Sequence, residues 1–326
     1  MSAPMARRGR VALRCARGLL AASVAAALSL WLGASCGSVA PERGAATPRP
    51  TVPPDFTPTP GSDPVPMVEI PAGLFLRGSA CPDAPSDEQP QAWVRLSAFL
   101  IDKYEVTNER FCAFLNALLN AVVQEDVFSA QGKLVYKMSS SHAHIHGTVG
   151  QFSVDPGWEN HPVSMVTWFG AREYARWVGK RLPTEAEWER AARGTDGRNY
   201  PWGGAEANGC TDGWDPARCC NGQHRGPGLP GTFPVGSFPS GASPDGVHDM
   251  AGNVWEWVAD IYSETYYAQG PTEDPQGPKK GSLRVLRGGG WYNSIAERFR
   301  CAYRRAEKPT YASSAVGFRC ARDVSS

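Results

Sequence analysis

The 326-residue sequence has no surplus of either charge: 33 Lys and Arg face 32 Asp and Glu, a formal net charge of +1. That gives no basis for a nucleic acid, or for an acidic membrane surface, as a partner. It has no Walker loop, no GxSxG elbow, no HExxH and no CxxC. The usual starting points for phosphate cradling, acyl transfer, zinc proteolysis and dithiol redox chemistry are therefore missing. There is no internal repeat, and helical signals are few beyond Gly194. Between Cys220 and Cys301 no cysteine occurs at all.

What is abundant is glycine (35), proline (28) and tryptophan (11), the mix of a loop-rich domain with aromatic anchors rather than a helical bundle. The N-terminus reads as an export signal. Arg7, Arg8, Arg10, Arg14 and Arg17 form a basic region, followed by an almost wholly apolar run from Gly18 to Ala34 and then Ser35-Cys36. "LGASC" resembles a bacterial lipobox, which makes residues 1–36 a leader and Cys36 the lipidated first residue of the mature chain. An ordinary cleaved signal, or an uncleaved anchor, is the alternative. Residues 37–66 are proline-dense with no apolar period, an extended tether. The expected product is an exported cell-envelope lipoprotein, at the outer membrane or the periplasmic face, whose membrane contact is its lipid. Export permits disulfides.

Residues 67–324 form the folded domain, long enough for one sizeable core. "MVEIPAGLFLRGS" alternates around Pro71-Ala72-Gly73 and predicts two short strands around a turn. "VRLSAFLIDKYEVTN" (94–108) predicts another strand, and Thr107 or Asn108 caps the helix "ERFCAFLNALL". Thr167 caps "WFGAREYARWV", which stops at Gly179. Thr184 opens "TEAE", a capping box in which Glu187 reaches back to the cap amide, and that helix stops at Gly194.

The ordered landmarks "IPAGLFLRGS", "IDKYEVTNERF", "NHPVSMVTW", "GKRLPTEAEWERAARG", "YPWG", "HDMAGNVWEWVAD", "VLRGGGWY" and "VGFRCAR" run from Met67 to Arg322. Together they resemble the sulfatase-modifying-factor family, whose best-known member is the formylglycine-generating enzyme. The resemblance implies an α+β fold, the formylglycine-generating-enzyme-type variant of the C-type-lectin architecture, with little regular structure and much ordered loop. It also implies where the oxidase holds its two copper-binding cysteines. Counted forward from Gly288 the first falls on Asn293; counted back from Cys301 the second falls on Ala296. An amide and a methyl group cannot hold Cu(I) as two thiolates do. Copper, and the family's own oxidase chemistry, are not expected.

The same resemblance assigns calcium to "HDMAGNVWEW", through the carboxylates of Asp249 and Glu256 and the carbonyls of Gly252 and Val254. The competing reading is a capped turn with Glu256 buried against a nearby arginine. Cys301 and Cys320 match family disulfide positions whose partners are here Ala175 and Ala192. Cys301 with Cys320, and Cys210 with Cys219 or Cys220, are the replacement pairings open to the sequence. Cys219-Cys220 reads either as a vicinal redox or metal pair or as loop stapling. His142, His144 and His146 share one side if their segment is a strand, a pattern open to zinc, copper or iron; a polar strand or loop face is the other reading, and their role stays open. Strand alternation would also turn Arg298 and Arg300 to one face; for Arg300 and Arg319 the preferred reading is that they bind carboxylates such as Glu256 and hold the sheet together.

Trp291, Tyr292, Asn293, Glu297 and Tyr303 remain as ligand contacts, since aromatics with amides and charges are what binding surfaces use. The function expected is a binding or recognition module for a peptide, a glycan or an envelope protein. The alternative is a non-canonical oxidoreductase in the oxidative maturation of an exported protein or metabolite. It would draw on His248, Glu256, Asn293, Glu297 and the cysteines.

Overall fold

The computed structural model describes residues 65–118, 121–204, 210–224 and 231–324. The leader, Cys36 and the tether up to residue 64 lie outside the described residues. The strands and helices are short, and loops take most of the chain. In order they are β1 (Met67–Ile70), β2 (Gly73–Arg77), β3 (Ala92–Leu96), β4 (Phe99–Asp102), α1 (Asn108–Ala117), β5 (Ala121–Val123), β6 (Asp126–Phe128) and β7 (Leu134–Tyr136). Next come β8 (Ile145–Thr148), β9 (Gln151–Val154), α2 (Trp168–Trp177), α3 (Glu185–Arg193), β10 (Trp255–Ile261) and α4 (Tyr266–Gln269). The chain closes with β11 (Arg284–Arg287), β12 (Arg305–Glu307), β13 (Val316–Gly317) and β14 (Ala321–Asp323). Among the described residues no helix is long and apolar enough to cross a membrane.

The caps fall where the sequence puts them. The Thr107, Thr167 and Thr184 side chains each accept a first-turn amide, and Glu187 closes the capping box on Thr184. Two strand readings need correction. β1 and β2 flank Pro71 as expected but do not pair with each other: β1 joins β4, and β2 joins β3. The stretch 94–108 is likewise two strands, broken at Ser97-Ala98. Both the Ser97 amide (2.7 Å) and hydroxyl (2.8 Å) donate to the Asp274 carboxylate, so the ladder is interrupted by a side chain far along the chain. Local pattern carries no information about such a partner.

The sheet β12-β11-β10-β13 is the platform on which the loop after β11 rests; β10 pairs antiparallel with β11 and parallel with β13. One apolar core lies between α1, α2 and β10, where Phe111, Tyr174 and Phe318 interlock. A second packs α3 against the β1-β4-β14 sheet and β11, with Ile70, Ile101, Trp188 and Val285 all buried. A third is an aromatic stack, Tyr200 on Trp202 and Trp214 on Phe299 (4.8 Å between centroids).

Between these cores runs a buried polar layer on α3. Glu189 is fully buried. It accepts from the Gly78 amide (2.7 Å), Arg193 (2.9 Å), the Tyr267 hydroxyl (2.7 Å) and Arg287 (2.8 Å). Burial alone would raise its pKa; Arg287 and Arg193 reverse this and hold it below the usual carboxylate range. Glu185, one turn earlier, takes Arg304 (2.7 and 2.9 Å) and Arg287 (3.1 Å). Removing one partner leaves buried cations uncompensated. Glu189→Ala is expected to cost ~3–5 kcal/mol of stability. Asp196→Ala, which breaks a solvent-facing pair with Arg198, is expected to cost less than about 1 kcal/mol. Urea unfolding midpoints of the two variants check the contrast.

Candidate functional site

The loop after β11 begins with three glycines and runs to Cys301. Gly288 (φ +94°) and Gly289 (φ +80°) sit in the left-handed region. A Cβ on Gly289 would come within 2.7 Å of the Phe299 ring, and one on Gly288 within 3.2 Å of Trp188. The glycines therefore let the loop lie flat on the aromatic core. The Trp291 amide donates to the Asn253 carbonyl (2.8 Å), and its indole Nε1 donates to the Ser314 carbonyl (2.9 Å). Ala296–Phe299 is a 3-10 turn, not a strand. Alternation accordingly fails: Arg300 is buried in an ion pair with Glu88 (2.7 Å), while Arg298 stays half-buried.

The five proposed contacts do not form one wall. Trp291 lines a narrow recess with His142, His144, Trp158 and Thr232. Tyr292 and Tyr303 line another with Trp255, Arg298 and Arg305. Trp291 and Tyr292 meet edge to face at 5.9 Å, so neighbours in sequence line different recesses. Glu297 is exposed. Asn293 is only 2 % exposed: its Oδ1 accepts from the Gly290 amide (3.0 Å) and its carbonyl accepts from the Gly222 amide (2.6 Å). It fastens the loop from inside and offers a ligand nothing, which corrects its expected place on the surface. Sequence reasoning missed Trp255 and Arg305 as walls because a core tryptophan and a strand arginine look structural in one dimension.

The strand premise for the histidines fails, although His144 and His146 both approach Asp155 Oδ2, at 3.2 and 3.6 Å. Only His146 belongs to a strand. His144 stacks on Trp158 (3.5 Å, 8° between planes), and its Nδ1 lies 3.2 Å from Asp155. His146 Nε2 lies 2.9 Å from the Ala143 carbonyl. His161 bonds Thr232 through Nδ1 (3.0 Å), and burial lowers its pKa to about 4.

In "HDMAGNVWEW" both Glu256 oxygens are engaged, by Arg319 (2.7 Å to each) and by the Trp188 indole (2.9 Å). Asp249 accepts from the Gly236 amide (2.6 Å). Beside them Glu105 is fully enclosed and accepts from Asn253 (2.6 Å) and the Val254 amide (3.2 Å). A guanidinium thus stands where calcium would draw on Glu256. Among the described residues no three His, Cys, Asp or Glu side chains gather into a metal-holding group. Of the expected set Asp249, Gly252, Val254 and Glu256, both carboxylates are thus already engaged, Asp249 by an amide and Glu256 by a guanidinium. His248, tilted against the Tyr104 ring (5.1 Å, 48° between planes), has a pKa lowered by burial and then by Lys103 and Arg319.

A family model, the sulfatase-modifying factor enzyme 1-like domain, matches residues 53–324. The chain belongs to this family. It is 40% identical over 287 residues to the formylglycine-generating enzyme of Streptomyces coelicolor, covering 79% of this chain and 89% of that one. It is 34% identical over 278 residues to the inactive C-alpha-formylglycine-generating enzyme 2 of Bos taurus, covering 78% and 87%. Among solved structures it resembles PvdO from Pseudomonas aeruginosa at 28% identity and a TM-score of 0.59, over 79% of this chain and 94% of that one. The fold is accordingly the family's loop-rich, C-type-lectin-like α+β architecture.

Within that family fold the cysteines depart from the expected pairings. Cys210 bonds Cys81, 129 residues away, with Cα atoms 5.5 Å apart. Cys301 and Cys320 do not pair: Cys301 packs in the α3 core and Cys320 in the core of α1 and α2. Cys219 and Cys220 stay thiols, as does Cys112. Burial pushes Cys219 and Cys301 up to about 12, and Cys112 to about 11. A thiol that does not ionise is a poor nucleophile and a poor copper ligand.

The Asp249 carboxyl is raised to about 6, by burial first and by the charge of Glu256 second, against the Gly236 amide and Arg319. A carboxyl raised on folding binds its proton more tightly in the native state. Its contribution is full below the unfolded value of about 3.9 and is lost as pH rises through the folded value. Asp249→Asn is therefore expected to flatten the fall in melting temperature between about pH 4 and 7, measured side by side with the parent.

Proposed function

We propose that this chain is an exported, lipid-anchored binding module of the cell envelope, built on an oxidase scaffold without the oxidase's thiols. The observation that carries the reading is the state of the loop between Gly288 and Cys301. Asn293 and Ala296 stand at the two thiolate positions, Asn293 is consumed in fastening the loop, and the one cysteine is sealed in the core. Half-buried Trp291, Tyr292 and Tyr303 and exposed Glu297 remain on its outer side. The partner class is a peptide, a glycan or an envelope protein, held at the membrane through the lipid on Cys36.

Most candidates of the oxidoreductase reading are engaged elsewhere. Glu256 is locked to Arg319, Asn293 is internal, and the described thiols outside the disulfide are buried, which leaves it His248 and the exposed Glu297. The relative named as inactive gives the family a precedent for a domain kept without its first chemistry.

Two measurements test the proposal. Purified protein given Cu(I), oxygen and a cysteine-bearing peptide is expected to produce no aldehyde; turnover would overturn the binding reading. Fractionation after expression is expected to place the parent in membranes and Cys36→Ala in the soluble fraction. An unchanged distribution would remove the lipid anchor.

A further inference from the structure

The recess on the Tyr292 side has a chemical character of its own. Its volume is about 290 Å³, and its walls are Trp255, Tyr292, Arg298, Tyr303 and Arg305. That is close to the lower end of small-ligand sites, ~300 Å³. No carboxylate lines it. Every polar wall group is a hydrogen-bond donor, and the tyrosine oxygens are the only acceptors.

The donors are unevenly used. Arg305 is held on several sides. It donates to Glu307 (2.6 Å), to the Tyr292 hydroxyl (3.0 Å) and to the Tyr311 hydroxyl (3.2 Å), and its guanidinium lies over the Trp255 ring. It is a fixed cation whose charge Glu307 already offsets. Arg298 is different: among the described residues its guanidinium has no ion-pair or hydrogen-bond partner, although it is half-buried. The Tyr303 hydroxyl likewise has none. Trp255 is 1 % exposed, and its indole Nε1 is a buried donor without an acceptor. A buried donor left unsatisfied costs roughly 1–3 kcal/mol, but Trp255 Nε1 is closed off from the recess surface, which leaves Arg298 and Tyr303 as the donors a ligand can reach.

We propose that this recess is a carboxylate-binding subsite that takes the chain end or an acidic side chain of a peptide. With Arg305 offset by Glu307, the walls carry one net positive charge, that of Arg298. This matches a monoanion better than a phosphate dianion. A planar carboxylate can accept a forked pair of bonds from Arg298 and keep a lone pair for the Tyr303 hydroxyl. The Trp255 and Tyr303 rings (5.8 Å apart, 50° between planes) give the apolar stem of such a ligand a surface to pack on. This subsite names the ligand chemistry of the binding module and rests on that reading.

The test uses the full chain and four probes: N-acetyltyrosine, its neutral amide, N-acetylglutamic acid α-amide, whose side-chain carboxylate alone is free, and inorganic sulfate. Binding is read from the Trp255 indole N–H resonance, assigned with Trp255→Phe, and from calorimetry. Expected are a shift of that resonance with both carboxylate probes, none with the amide, and weaker binding of sulfate. Arg298→Gln is expected to weaken carboxylate binding at least about tenfold, the loss of one charge-assisted bond. Ser294→Ala, on the exposed part of the loop, is expected to bind like the parent. Equal binding of the neutral amide, sulfate tighter than the carboxylates, or full binding by a folded Arg298→Gln variant would each overturn the subsite. The oxidase assay bears on the binding reading alone. A chain that neither oxidises peptides nor binds carboxylates therefore removes this subsite and not the module.

Discussion

The structure depends on one buried carboxylate. Glu189 sits where no water reaches and gathers a backbone amide from the β2 turn, its own helix through Arg193, α4 through Tyr267 and β11 through Arg287. Four separate parts of a loop-rich chain are thereby referred to one pair of oxygens. Short strands alone cannot supply that rigidity, because two-stranded ladders are marginal without a packed face. The ion cluster is an expensive solution, since desolvating charges offsets much of their attraction. What it delivers is position: Arg287 reaches past Glu189 to the Cys301 and Ala302 carbonyls and so fixes both ends of the loop that begins one residue later.

From there the loop takes its shape. Its floor is aromatic, its start is glycine, and its middle is closed by Asn293 on Gly290 and Gly222. Nothing in this arrangement needs a thiol. The Asn293 side chain acts as a hydrogen-bonded clasp that keeps the loop ordered from within.

Much of the fold was legible in the sequence because its signals are local. Thr107, Thr167 and Thr184 cap the helices they precede, and the pattern of Gly179 and Gly194 ends two of them. The errors came from partners distant in sequence. Asp274 breaks a strand at Ser97, and β1 and β2 leave each other for β4 and β3. Cys210 finds Cys81 rather than a neighbour, and Cys301 and Cys320 are separated into different cores. At the site, residue type pointed correctly to buried arginine–carboxylate pairs, Arg319 with Glu256 and Arg300 with Glu88, while the period-2 face shared by Arg298 and Arg300 fails because four residues wind into a 3-10 turn. Trp255 and Arg305 as walls of a recess could be read from no motif, since both look like core residues until the loop is laid over them.

Trp291 and Tyr292 are consecutive, yet they line different recesses. Their order is therefore a register. A single residue inserted or deleted between Gly290 and Asn293 would exchange which aromatic lines which recess, even with every side-chain type retained. Loop length becomes a determinant of recognition in its own right, and two chains with the same residues here, offset by one, would present different surfaces.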